Sequence, residues 1–133
     1  MTTTTEIALP FPPSSSNKGP VLKFAEDTLE LTYDAYGEDR KRHWVTIRFA
    51  DVIAYCYTQD GSETAEQLKG YHKLVCDTES AWRTQIIQRW EESYGDHAYQ
   101  KELGGSARFK HYNIYFDHHG AVDVIASGFE IEK

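Results

Sequence analysis

Apolar and polar residues alternate through much of the chain, most clearly over residues 109–131, FKHYNIYFDHHGAVDVIASGFEI. Phe109, Tyr112, Ile114 and Phe116 are apolar, and from Tyr112 onward Asn113, Tyr115 and Asp117 fall between them. Asp117-His118-His119-Gly120 interrupts the run. Val122, Val124 and Ala126 resume it, with Asp123 between the two valines. A period of two around a polar turn ending in glycine is the pattern of a half-buried β-hairpin. Phe129 and Ile131 extend the same sheet.

The period recurs upstream. Residues 21–24 predict a short strand. Leu29, Leu31, Tyr33 and Ala35 alternate with Glu30, Thr32, Asp34 and Tyr36, which predicts a second strand with one wet face. Residues 37–43 form a charged loop. Val45, Ile47 and Phe49 lie on one side of a third strand, with Thr46 and Arg48 on the other, until Asp51 breaks the phase. Ile53, Tyr55 and Tyr57 make a further strand with Cys56 on its other face. Residues 60–70 read as a polar loop or short helical turn, and 71–76 as another strand.

One helix is predicted, over 78–94. Asp77 or Thr78 is placed to cap it, and Glu79 lies in the first turn near the positive end of the dipole. Trp82, Ile86, Trp90 and Tyr94 recur every four residues and Ile87 widens the stripe, so Trp82, Ile86 and Trp90 are expected to be buried against the sheet. Gly95 fits the position after the last turn, and 98–103 reads as a further helical turn. The resulting class is α+β: a curved antiparallel sheet of about six to seven strands with one main amphipathic helix packed on it. Residues 1–20 are rich in Thr, Ser and Pro and read as a flexible arm, with Ile7, Leu9 and Phe11 as its anchors. Residues 21–133 then form a single domain.

Composition narrows the function. The net charge of −7 repels phosphate backbones, which argues against general nucleic-acid binding and favours a basic protein partner. No apolar run approaches the roughly 20 residues of a membrane span, and the N-terminus lacks the pattern of a secretory signal, so the expected compartment is cytoplasmic. Cys56 and Cys76 each lie within an apolar run and are expected to be buried small hydrophobes rather than a disulfide or a zinc site.

Candidate chemistry is sparse. His118 and His119 sit beside Asp117, with His111 on the preceding strand, but adjacent histidines in a turn diverge, and Asp-x-x-Gly fits ordinary turn chemistry. On a strand His72 and Cys76 lie roughly 13 Å apart and share no proton. Gly104-Gly105-Ser106 lacks the lysine of a phosphate loop, and the basic run at Arg40, Lys41 and Arg42 reads as a solvated loop. No catalytic residue, cofactor or metal is expected. The acidic bias is more suggestive, since Glu26, Asp27, Glu30, Asp34, Glu38 and Asp39 face a single Lys23. By parity Glu30, Asp34 and Tyr36 share one wet face. With Glu38 and Asp39 they are the candidate partner-binding residues, carboxylates steering a basic protein and a tyrosine anchoring it.

The run Tyr-x-Ile-Tyr-Phe-Asp-x-x-Gly-x-x-x-Val-Ile-Ala at residues 112–126 resembles one found in small bacterial immunity proteins encoded beside polymorphic or type VI secreted toxins. The stretch VTIRFADVIAYCY, followed by a tryptophan-bearing helix, is similar too. The resemblance implies a non-catalytic domain that binds and neutralises one cognate toxin in interbacterial competition. It carries over no site residue. The competing expectation is a small-molecule-binding domain or small enzyme with a pocket between sheet and helix, lined by Tyr55, Tyr57, Trp44 and the histidines.

Overall fold

Where the chain alternates with a period of two the structure has strands, and their apolar halves meet across one core. The structure is a computed structural model describing residues 4–13, 18–65, 67–70, 73–94 and 103–132. In chain order the elements are β1 (Thr4–Ile7), β2 (Val21–Ala25), β3 (Thr28–Tyr36), β4 (Arg42–Ala50), β5 (Ala54–Gln59), β6 (Leu74–Asp77), α1 (Ala81–Tyr94), β7 (Lys110–Phe116), β8 (Gly120–Ala126) and β9 (Gly128–Glu132). The class is α+β. The single curved sheet expected from the sequence is corrected to two antiparallel sheets, β1-β6-β7-β8-β5 and β2-β3-β4-β9.

From β2 onward the chain changes sheet twice, at two breaks in the alternation that adjoin one another. After β4, Asp51 takes a positive φ of 55°. Val52 then donates its N–H to the Asp27 carbonyl (2.8 Å) and Ile53 to that of Ile125 (3.0 Å). At the second break Ser127 donates to the Ala50 carbonyl (3.0 Å), and the chain leaves the first sheet after β8 so that β9 pairs with β4. Parity cannot distinguish a strand that continues its sheet from one that turns a corner into the next, which is why one sheet was expected.

Leu29, Leu31, Tyr33, Val45, Ile47 and Phe49 of the second sheet pack against Tyr112, Ile114, Phe116, Val122 and Val124 of the first. Tyr33 meets Phe116, and Phe49 meets Tyr112, each at 5.4 Å between ring centroids. The buried Tyr33 hydroxyl donates to the Phe11 carbonyl (2.8 Å), so its burial leaves no donor unsatisfied. Burial pushes the pKa of that phenol well above its usual value. Residues 4–7 of the expected arm are the edge strand β1, paired with β6. Ile7, Leu9 and Phe11 pack against the core as anchors, and Phe11 stacks on the His43 ring.

The C-terminal hairpin is not half-buried but buried on both faces, through residues 112–116 and 120–126. Its outer face is covered at one end by α1, through Ile87, Phe109 and Ile125, and elsewhere by a 3₁₀ turn at Gln67–Gly70. Gly70 permits that approach, because a Cβ there would fall 2.5 Å from Asn113 Oδ1 and 2.7 Å from its carbonyl oxygen. Ser80, not Asp77 or Thr78, caps α1, its Oγ accepting the Arg83 N–H (3.1 Å). Asp77 instead accepts the Glu79 N–H in the preceding turn (2.9 Å). Trp82, Ile86 and Trp90 are half-buried and Ile87 is the buried residue, since α1 covers only one end of the sheet. Arg108 lies over the Trp90 and Phe109 rings and bonds Asp51 (2.8 Å), holding the helix to the corner. No helix among the described residues is long and apolar enough to cross a membrane. The expectations for residues 71, 72, 95 and 98–102 lie outside the described residues.

Phe49 is fully buried between the sheets, and Trp44 stands on the outer face of the second. Phe49→Ala should cost about 3–5 kcal/mol, and Trp44→Ala about 0.5 kcal/mol or less. Urea denaturation midpoints check this, and equal shifts would contradict the packing described.

Candidate functional site

Glu30, Asp34 and Tyr36 do share the outer face of β3, but they do not form an acidic surface. In the β3–β4 register Glu30 opposes Arg48, Asp34 opposes Trp44 and Tyr36 opposes Arg42. Asp34 is 0% exposed, accepting from the Lys18 backbone N–H (3.0 Å) and from Arg42 Nε (3.1 Å). Parity placed it outward correctly, but the segment before β2 crosses over it. Glu30 bonds Arg48 (3.4 Å), which also pairs with Glu132 (2.6 Å). Glu38 and Asp39 are exposed in the following loop. A hydrogen bond from His43, with a second from the Lys41 N–H, holds the Asp39 carboxyl below its usual range. What this end of the face displays is aromatic: Tyr36 is 40% and Trp44 47% exposed, with the Arg42 guanidinium 5.5 Å from the Trp44 ring.

The other polar concentration lies on the outer face of the first sheet, where His111 and Asn113 of β7 and Asp123 of β8 are brought together. Asn113 and Asp123 are direct cross-strand partners, and Cys56 of β5 faces Asp123 from the other side. Above them opens a cleft of about 670 Å³, with Ser80 and Trp82 from the start of α1 on one wall and Thr64, Gln67 and Lys69 on the other.

Asp123 is the centre of the floor. It accepts hydrogen bonds from His111 Nε2 (2.7 Å), Asn113 Nδ2 (3.0 Å) and Gln67 Nε2 (3.0 Å). An ionised carboxylate only accepts, so Nε2, the ring nitrogen facing Asp123, carries a proton. Nδ1 faces Ser80 Oγ at 2.7 Å, and in the neutral ring it accepts from the Ser80 hydroxyl. Trp82 meets the His111 ring edge-on at 4.9 Å and limits its rotation. Serine, imidazole and carboxylate therefore form a continuous hydrogen-bonded chain on the cleft floor. Asn113 Oδ1, pressed beneath Gly70, has no hydrogen-bond partner among the described residues.

The other expected groups lie elsewhere. His118, at a φ of 66°, is exposed in the β7–β8 turn 3.7 Å from Asp117, and His119 sits against Gly19. Neither joins His111. Among the described residues no group of three His, Cys, Asp or Glu side chains could hold a metal ion. Both cysteines are free thiols: Cys56 reaches the cleft and Cys76 packs against the core. His72 lies outside the described residues. Trp44 belongs to the other sheet, and Tyr55 and Tyr57 stand at the β5 edge opposite Val124 and Val122, so none of the three lines the cleft. Sequence reasoning missed Ser80 and Asp123. The available signal was Asp123 itself, a lone charge inside the apolar strand Gly120–Ala126.

No family model matches the chain, and no solved structure matches it. A stretch of 83 residues, 62% of the chain, is 31% identical to the human protein Scm-like with four MBT domains protein 1. That stretch corresponds to 10% of the human protein's length.

Burial, and then the Asp123 charge, push the Cys56 thiol up to about 11. In a Cys76→Ala background, Cys56 should react with a disulfide reagent at pH 8 about 100-fold more slowly in folded than in urea-unfolded protein. Comparable rates in the two states would contradict the environment described.

Proposed function

We propose that the cleft between α1 and the first sheet is a ligand-binding site and that the protein acts as a small-molecule-binding domain. The observation that carries this is the Ser80–His111–Asp123 chain, two 2.7 Å hydrogen bonds long, on the floor of an open cleft. Burying polar groups costs free energy even when they are paired, and a sheet face that only supported a helix would be apolar throughout. It is apolar beneath Ile87, at Phe109 and Ile125, and polar where the helix leaves it open. About 670 Å³ falls within the usual range for small-ligand sites, which combine apolar walls with a few convergent polar groups. The lining carries Asp77, Glu79 and Asp123 against Lys69, favouring uncharged or cationic ligands over anions. Trp82 supplies a flat apolar wall. Titration with uncharged, cationic and anionic fragments, followed by amide and indole NMR shifts, checks this. Uncharged or cationic fragments should shift Trp82 and His111 together. A library that moves neither would end the proposal.

A second reading, a protein partner, is supported by the exposed cluster of Tyr36, Arg42 and Trp44. Aromatic and arginine side chains dominate the energetics of protein interfaces. On this reading the protein is a cytoplasmic immunity protein that neutralises a basic cognate toxin. Tyr36 and Trp44 form the contact centre, and Glu38 and Asp39 steer association from the rim. Co-expression with a toxin encoded beside the gene tests it. Trp44→Ala should speed dissociation and lose protection, and reversing Glu38 and Asp39 to lysine should slow association several-fold. Absence of protection by the unaltered protein would remove this reading.

A further inference from the structure

We propose that Ser80 is a nucleophile and that the cleft hydrolyses an uncharged carboxylic ester. This rests on the cleft being a ligand site, and it gives that site a reaction. Three features support it. The first is the nucleophile–base contact: Ser80 Oγ lies 2.7 Å from His111 Nδ1, and in the neutral ring the hydroxyl donates to it, within reach for direct proton transfer. The second is the orientation of the base, because Asp123 holds the proton on Nε2 from 2.7 Å and is itself fixed by Asn113 and Gln67. That is the division of labour in a serine–histidine–aspartate triad, with the two ring nitrogens exchanged relative to the serine proteases. Asp123 is thus a positioning residue, while Ser80 and His111 meet the substrate.

The third is the place where charge would develop. Ser80 caps α1, so the N–H groups of Ala81 and Trp82 that follow it have no acceptor within the helix. They belong to the two residues that follow Ser80, at the positive end of the helix dipole, where N–H donors favour developing negative charge. The Arg83 N–H is already taken by Ser80 Oγ (3.1 Å), which helps to hold that atom in place. Ser80, Ala81, Trp82, His111 and Asp123 all line the one cleft. Asp77, Glu79 and Asp123 disfavour an anionic substrate, and Trp82 offers a wall for a short alkyl or aryl group.

In the first half-reaction Ser80 Oγ bonds to the carbonyl carbon, the serine proton passes to His111 Nδ1, and the carbonyl π pair moves onto oxygen. Collapse breaks the ester C–O bond, and the leaving alkoxide takes the proton from His111. Water then attacks the acyl-serine and gives a proton to His111. That proton returns to Ser80 Oγ as the carboxylic acid departs.

The test uses the full chain and an uncharged alkyl ethyl fluorophosphonate. The probe forms an O–P bond at an activated serine with loss of fluoride, and it is read by intact mass and peptide mapping. The expected result is one adduct per chain, on Ser80, forming faster as pH rises through the titration of a histidine. Ser80→Asn keeps a good helix cap without the nucleophile and should remove labelling while preserving the melting temperature. His111→Gln should slow labelling about 100-fold or more. Asp123→Asn should shift the pH profile as well as the rate, which a merely structural residue would not do. No adduct, an adduct on another residue, or undiminished labelling of Ser80→Asn overturns the proposal. If the probe shifts the Trp82 and His111 resonances without reacting, the ligand site stands and the nucleophile falls. If it does neither, both fall for this ligand class.

Discussion

The β7–β8 hairpin is buried on both faces, and an antiparallel pair so placed must find a cover for each. The second sheet covers one face with Leu31, Tyr33, Ile47 and Phe49. The other face is shared between two unlike covers, α1 at the Ile125 end and the Gln67–Gly70 turn over Asn113. Neither is long enough to close the whole face. The strip left between them is where the strands carry His111, Asn113 and Asp123. The cleft thus follows from the way the hairpin is covered.

A carboxylate as enclosed as Asp123 is tolerated only because its neighbours supply the hydrogen bonds it loses to water. Those neighbours come from three parts of the chain: β7 provides His111 and Asn113, the 3₁₀ turn provides Gln67, and the cap of α1 joins through His111. Both covers of the outer face are therefore tied to one charge. A substitution at Asp123 disturbs the register of α1 and the turn together, so its effects on fold and on ligand binding need separate readouts.

Strand identity is legible in the sequence, because a period of two specifies which residues face inward wherever one face is buried. Leu29, Leu31, Tyr33 and Ala35 fall as their spacing implies, and so do Val45, Ile47 and Phe49. Sheet membership is not legible, because the corner at Ser127 and Gly128 shows in the sequence only as a one-residue slip of the alternation between Ala126 and Phe129, which does not say that the hydrogen-bonding partner changes from β7 to β4. The acidic face misled for a related reason. Parity placed Asp34 outward but could not see Lys18 closing over it or Arg42 and Arg48 arriving from β4 and pairing with its carboxylates. Ser80 and Asp123 lie 43 residues apart in number, and no local pattern joins them, since only the pairing of β7 with β8 and the docking of α1 bring them to one place.

The segment ahead of β2 touches both layers. β1 completes the first sheet along β6, while the Phe11 carbonyl and the Lys18 N–H bond to Tyr33 and Asp34 of the second. Through these described residues it ties the two sheets together, although its threonine, serine and proline content reads as an arm. Excising it at residue 21 would do more than shorten the protein. The β6 edge would be left with a row of unpaired backbone N–H and C=O groups, a template for strand addition by another chain. A truncated form would therefore tend to self-associate along β6, and its solubility would report on this segment rather than on the core.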